Sequence, residues 1–277
     1  MIKANMHIGT SGWSYDHWSR LFYPAGLAPR DRLAWYARHF RSVEIDSTFY
    51  HLPSEQTLQS WADSVPADFR FAVKASRHIT HLKKLSDPGP ALSQLMGRLE
   101  QLGDKLGPVL FQLPPHWAPN LERLAAFLKA LPQDFRYAME FRDPRWFDPR
   151  VYELLAKQAV ALCIADLNGQ VSPLQVTTNL VYVRLHGPDG PYRGEYSGHA
   201  LQGWSDMLKR WRREARKVYC YFDNDESAHA VQDALRLQEM VSRREQAWRE
   251  PGKLLRLQRF SWIPAVAGSP APPAQLR

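Results

Sequence analysis

Acidic, basic and hydrogen-bonding side chains recur at alternate positions where the short apolar runs of this chain come to an end. In Val43-Glu44-Ile45-Asp46 two acids alternate with branched apolar residues, and Tyr182-Val183-Arg184-Leu185-His186 has the same rhythm. Successive side chains of a strand face opposite sides. Glu44 and Asp46 therefore share a face, as do Tyr182, Arg184 and His186. The same parity selects Lys74, Gln112, Glu140 with Arg142, and Tyr219, Tyr221 and Asp223 in other runs. Gathered on one surface, Glu44 and Glu140 could act as acid and base if their environments push their pKa values apart. Lys74 beside carboxylates would be a charged clamp for phosphate or carboxylate; desolvated, it would be a Schiff-base amine. Arg142 and Arg184 offer forked recognition of an oxyanion. His186 is read as the only interior histidine whose charge can change near neutral pH. Glu44, Lys74, Glu140 and His186 are thus the candidate catalytic residues.

Candidate binding residues lie on the same runs and in the segments that follow them. Asp46, Gln112, Arg142, Arg184, Asp223 and Asn224 supply polar contacts, and Trp13, Tyr15, Tyr50 and Trp146 supply aromatic surfaces for a base or sugar. The Gly-rich segment Gly187–Tyr196 reads as a lid, with Tyr192 and Tyr196 closing over a substrate. Two plainer readings stand beside these. The aromatics could pack loops, and the charges could pair with one another in a salt-bridge network, since a buried charge left alone costs several kcal/mol. No HxH or HExxH spacing occurs, and Lys74, Arg142 and Arg184 would oppose a divalent ion, so no cofactor is expected and a divalent metal is the minor alternative. Neither a GxSxG elbow nor a P-loop lysine is present.

These residues need a scaffold that brings strand ends together. Eight apolar strand signals run from His7-Ile8-Gly9-Thr10 to Val218-Tyr219-Cys220-Tyr221-Phe222-Asp223, and helix-period segments fill most of the gaps. Leu92, Leu95, Met96, Leu99 and Leu102 form one apolar stripe; Leu121, Leu124, Ala125, Leu128 and Leu131 form another. Ser54 and Asp148 are candidate helix caps. Such alternation predicts an α/β fold of the (β/α)₈ TIM-barrel class, with chemistry at the C-terminal strand ends. After Asp166 no amphipathic helix is legible, so the sixth connection is expected to be irregular. One domain is expected over 1–250, with a C-terminal extension over 251–277, disordered from about 263, where proline and alanine dominate.

The net charge of +8 favours anionic partners, although much of the excess falls on Lys209–Lys217 and on the arginines from Arg243 to Arg259, away from the strand ends. Two cysteines, Cys163 and Cys220, read as free buried thiols, and no run is long enough to span a membrane. A cytoplasmic location and no membrane partner are therefore expected, while the oligomeric state is left open.

Several of these segments also resemble the YecE-like family, domain-of-unknown-function family 72. They include Ile8-Gly9-Thr10-Ser11-Gly12-Trp13-Ser14-Tyr15, Val43–Tyr50, Leu110-Phe111-Gln112-Leu113-Pro114-Pro115, Glu140-Phe141-Arg142, Tyr182–Gly187 and Tyr221-Phe222-Asp223-Asn224. The resemblance implies a TIM barrel and a site at its mouth, and brings no reaction. The leading functional expectation is an enzyme, hydrolase or lyase, for a small anionic substrate that is phosphorylated or contains a nucleotide. In it Lys74, Arg142 and Arg184 bind the anion, and Glu44, Glu140 and His186 move protons. The alternatives are a nucleic-acid binder or metal-dependent phosphodiesterase, then a carbohydrate hydrolase, then a scaffold without chemistry.

Overall fold

Each of the eight apolar runs forms a strand in the computed structural model, which describes residues 5–243 except 215. The expected boundary at 250, the extension 251–277 and the arginines from 244 to 259 lie outside the described residues. The strands are β1 (Met6–Thr10), β2 (Ser42–Ile45), β3 (Arg70–Lys74), β4 (Leu106–Gln112), β5 (Tyr137–Glu140), β6 (Ala161–Leu167), β8 (Leu180–Leu185) and β9 (Lys217–Phe222). A two-residue strand, β7 (Gln170–Val171), folds back antiparallel on β6. It occupies the sixth connection, where the Asn168-Gly169 turn replaces a helix.

Helices follow the other strands. They are α1 (Arg32–His39), α2 (Glu55–Asp63), α3 (Gly89–Leu99), α4 (Leu121–Ala130), α5 (Pro149–Lys157), α6 (Gly198–Arg213) and α7 (His229–Ser242). Their starts follow from local chemistry. Ser54 Oγ accepts the Thr57 amide at 3.1 Å, and Asp148 Oδ1 accepts the Arg150 amide at 2.8 Å, so each cap satisfies an amide that the first turn leaves free. The apolar stripes face inward: Leu92, Leu95, Met96 and Leu99 of α3 are buried, as are Leu201, Trp204, Leu208 and Trp211 of α6. They pack on the outward residues of the strands, among them Val43, Ile45, Phe71, Val73, Phe111 and Val183.

Hydrogen-bonded neighbours run in the order β1-β9-β8-β6-β5-β4-β3-β2, all parallel. Between β1 and β2 the ladder is replaced by side chains and one bridge. Tyr36 from α1 accepts the Thr10 amide (2.9 Å) and donates to the Ser42 carbonyl (3.2 Å), and the Gly12 amide donates to the Glu44 carbonyl (2.8 Å). Gly9 makes that approach feasible, because a Cβ there would drive into the Ser42 carbonyl oxygen. The sheet thus forms a nearly closed barrel, and the TIM-barrel expectation stands.

Inside, Ala72, Leu110, Ala138, Ala161, Cys163, Leu180, Tyr182, Tyr219 and Tyr221 form a separate cluster. Three tyrosines from adjacent strands β8 and β9 fill the axis, and alanines on β3, β5 and β6 leave them room. Both cysteines are buried and free, Cys163 inward and Cys220 outward. No helix among the described residues is long and apolar enough to cross a membrane.

Candidate functional site at the barrel mouth

Polar residues take over from the tyrosines toward the C-terminal strand ends, and Arg184 of β8 holds the centre. Its guanidinium is buried, with Nη1 3.0 Å from Glu140 Oε2 and Nη2 2.7 Å from Glu44 Oε1 and 3.0 Å from Asp223 Oδ2. Glu44 is further satisfied by Ser11 Oγ and by the Tyr182 hydroxyl, each at 2.6 Å. Burial alone would drive these carboxyls toward the neutral form. Against it, Arg142, Arg184 and His186 hold Glu140 well below the ordinary carboxylate range, and Arg184 and His186 hold Asp223 below it.

His186 joins the network through both ring nitrogens. Its Nδ1 lies 2.9 Å from Asp223 Oδ2, while Nε2 faces both Arg142 Nη2 (3.0 Å) and Glu140 Oε1 (3.2 Å). An arginine only donates, so Nε2 must carry its lone pair to bond Arg142 and its proton to bond Glu140. The two bonds exclude each other. Arg142 is also ion-paired to Glu140, with Nε 2.5 Å from Oε1.

Lys74 stands apart from this pairing. Its side chain is half-buried at the end of β3, and Nζ lies over the Phe49 ring, 4.3 Å from the centroid. Among the described residues its ammonium has no ion pair or hydrogen bond. Burial lowers its pKa, and Arg184 adds to the effect; Glu140, Glu44 and Asp223 only partly oppose it. Asp46 is half-buried too, and burial with Asp223 and Glu44 raises its pKa. Tyr15 donates to the Ser11 carbonyl at 2.8 Å and reaches Asp46 Oδ2 at 3.3 Å. Gln112, opposite Glu140 in register, is buried with Oε1 unpartnered.

The lid segment bends at Gly187, where φ is +112° and a Cβ would meet the Arg193 carbonyl. Its Tyr192 ring stands edge-on to His186, 5.7 Å between centroids, and is 46% exposed, so it covers the mouth from one side.

With this geometry in view, comparison with known proteins gives the family. A model of the family described as "Protein of unknown function DUF72" matches residues 7–255. The chain belongs to DUF72. It is 27% identical to the UPF0759 protein YunF of Bacillus subtilis over 269 residues, covering 85% of this chain and 94% of YunF. It is 33% identical to the UPF0759 protein YecE of Escherichia coli over 143 residues, about half of each chain (51% and 50%). A crystal structure of a DUF72 protein from Thermotoga maritima matches with a TM-score of 0.79 at 26% identity, covering 86% of this chain and 99% of that one. One from Enterococcus faecalis matches with a TM-score of 0.73 at 21% identity, covering 86% and 96%, which bears on the fold alone.

Not every residue expected in the site of this DUF72 chain reaches the mouth. Lys74, Asp46, Tyr15, Gln112, Arg142, Tyr192 and Asp223 gather there, and the exposed Tyr50 stands on the rim against Phe49. Arg184 cannot be an anion clamp, because three carboxylates already hold it. Glu44, Glu140 and His186 are fully buried beneath the accessible groups, so none of the three meets a ligand unless the network opens. Trp146 is fully buried, stacked on Phe141 at 4.9 Å and donating to the Trp117 carbonyl; Trp13 packs edge-on to Trp61. Tyr196 is buried against Phe222 and accepts the Gly187 amide, and Asn224 donates to the Gly194 carbonyl and Asp233. These four brace loops. Their aromatic or amide chemistry said nothing about which way they turn.

Other residues at the mouth were missed. His81 lies in a π-helical turn, His78–Leu82, and burial with Lys74, Arg77 and Arg142 lowers its pKa, which marks a convergence of cations at the rim. The only sequence signal was the cluster Arg77-His78 and His81 just beyond β3. Ser11, a ligand of Glu44, shares interior parity with Gly9, and that parity could have found it. A second histidine faces the axis, His7, stacked on the inward-facing Tyr219 at 4.4 Å, and burial with Arg70 and Lys217 pushes its pKa down to about 4, away from neutral pH. Among the described residues no group of three or more His, Cys, Asp and Glu is arranged to hold a metal ion.

Proposed function

We propose that the C-terminal mouth of the barrel is an active site for a small anionic substrate bearing a carbonyl, with Lys74 as its nucleophile. The observation that carries this reading is the isolation of Lys74. Arg184, Arg142, Glu44, Glu140 and Asp223 pair with one another, yet this amine is half-buried over Phe49 with no acidic partner and a depressed pKa. Burial that lowers the pKa of an amine enlarges its unprotonated fraction at any given pH, and the unprotonated form is the one that attacks a carbonyl carbon. Addition of Nζ gives a carbinolamine, and loss of the hydroxyl as water gives the imine. Asp46, whose pKa is raised, is suited to lend the proton that departs with that hydroxyl. Arg142 and the rim residue Arg77 favour an anionic group on the substrate, and Tyr192 is positioned to limit access of water. The buried free thiols suit a reducing compartment such as the cytoplasm.

The test is reductive trapping. The full chain is incubated with pyruvate, or with dihydroxyacetone phosphate, in the presence of cyanoborohydride, and its peptides are analysed by mass spectrometry. The expected result is one adduct on Lys74, faster than on any surface lysine and absent from Lys74→Arg. Labelling spread over surface lysines, or none with either probe, refutes the assignment.

A further inference from the structure

The opposite end of the barrel carries a cationic cluster that the mouth does not use. Arg70 lies two residues before the inward-facing Ala72, Arg136 two before Ala138, and Lys217 two before Tyr219. Strand alternation turns Arg70 and Lys217, the first residues of β3 and β9, toward the axis one step below the side chains that fill it, and the exposed Arg136 just ahead of β5 has the same parity. They sense one another: Arg136 and Arg70 both lower the pKa of Lys217, beyond the effect of its burial, and both act on Tyr219.

Among the described residues no acid forms an ion pair with any of the three, and Asp68 acts on His7 only at longer range. Among the described residues the side chains of Arg136 and Lys217 have no ion pair or hydrogen bond. Arg70 donates only to the main-chain carbonyls of Ala67 (3.0 Å) and Phe69 (2.8 Å). Of the neighbouring acids, Asp68 pairs with Arg41 at 3.3 Å and Glu214 with Arg210 and Arg216, while Asp134 acts on Tyr137 without pairing to the cluster. A second observation points to a ligand. His7 is 8% exposed, feels Arg70 and Lys217, and has Nδ1 buried with no partner. Convergent like charges and an orphaned ring nitrogen each cost free energy, and an anion would relieve both.

We propose that the N-terminal mouth of this barrel is a second binding site, for a small oxyanion of the phosphate class. Arg136, Lys217 and Arg70 supply the charge, and the imidazole of His7 lies beneath the ligand. Phosphate fits because its several oxygens can meet guanidinium and ammonium donors from three strand ends at once. Tyr182, Tyr219 and Tyr221 fill the axis above, so the site is separate from the one containing Lys74.

Calorimetric titration of the full chain with inorganic phosphate and with pyrophosphate tests this, in wild type, Arg136→Gln, Lys217→Gln and Lys74→Met. Arg136 is exposed and Lys217 only half-buried, so both variants should fold, which thermal unfolding verifies. Wild type is expected to bind saturably, with affinity reduced about tenfold in each N-terminal variant, the loss of one charge-assisted hydrogen bond. Lys74→Met should bind as wild type does, and the His7 ring protons should shift in the NMR spectrum as phosphate is added. Absence of saturable binding, or equal heat from chloride, overturns the proposal. So does binding lost in Lys74→Met but kept in the other two, which would put the anion in the C-terminal mouth instead.

Discussion

Replacing Arg184 by methionine removes the charge that neutralises the barrel mouth while keeping much of the volume. Glu44, Glu140 and Asp223 then share Arg142, ion-paired to Glu140, with Lys74 acting only at longer range, so about one carboxylate is left uncompensated. The cost is bounded from above, because the chain can take up a proton instead. Lifting a carboxyl from about pKa 4 to protonate at about pH 7.5 costs roughly 5 kcal/mol, at 1.36 kcal/mol per pH unit. Breaking a buried ion pair typically costs about 3–5 kcal/mol, in agreement with that bound. At about pH 5 the same proton costs only roughly 1.4 kcal/mol. The sign of the pH dependence therefore separates the two proteins. In wild type Glu140 and Asp223 are held low, so their stabilisation is present above the ordinary carboxylate range and is lost as pH falls below that range through their own lowered pKa values. In Arg184→Met the leftover carboxyl titrates high, so the variant should recover stability between about pH 7.5 and pH 5 relative to wild type. Urea denaturation at both pH values measures this. A deficit under about 1 kcal/mol at the higher pH, or one that does not shrink at the lower, would mean that the carboxylates are not held by Arg184 as described.

The other expectations use different parts of the barrel. His7, pushed down to about 4 chiefly by burial and then by Arg70 and Lys217, binds its proton more weakly folded than unfolded. It should therefore cost the fold up to about 3 kcal/mol as pH falls from about 6.5 to 4, and His7→Phe should flatten that part of a stability–pH curve. Gly9→Ala places a methyl against the Ser42 carbonyl at the β1–β2 seam, and a loss of about 3 kcal/mol or more should appear as a lowered thermal midpoint; an unchanged midpoint would mean the seam can widen. Trp146→Leu should lose about 2 kcal/mol or more through its stack on Phe141, yet leave Lys74 trapping intact. A fall in trapping rate with no loss of stability would return Trp146 to the ligand-binding set.

Much of the barrel was legible because its signals are local. Strand parity fixed which side chains face the axis, and Glu44, Lys74, Gln112, Glu140, Tyr182, Arg184, Tyr219 and Tyr221 all obey it. The helix stripes and the caps at Ser54 and Asp148 were equally local, as was the missing helix after Asp166. Loop residues were not. Trp13, Trp146, Tyr196 and Asn224 have the chemistry of a binding site, but partners distant in the chain, such as Trp61, Trp117 and Asp233, draw them into packing.

The amino-acid sequence by itself determined the order of strands and helices, the inward set of polar residues and the excess of positive charge, since these depend only on residue type and period. Only the tertiary structure decided who pairs with whom. Arg184 could have been free to hold an anion or locked by acids, and three carboxylates arriving from β2, β5 and the end of β9 locked it. The same closure left Lys74 as an amine without an acidic partner and drew Arg70, Arg136 and Lys217 together at the far end. Pairing depends on distances set by the closure of the whole barrel, and no local pattern along the chain contains those distances.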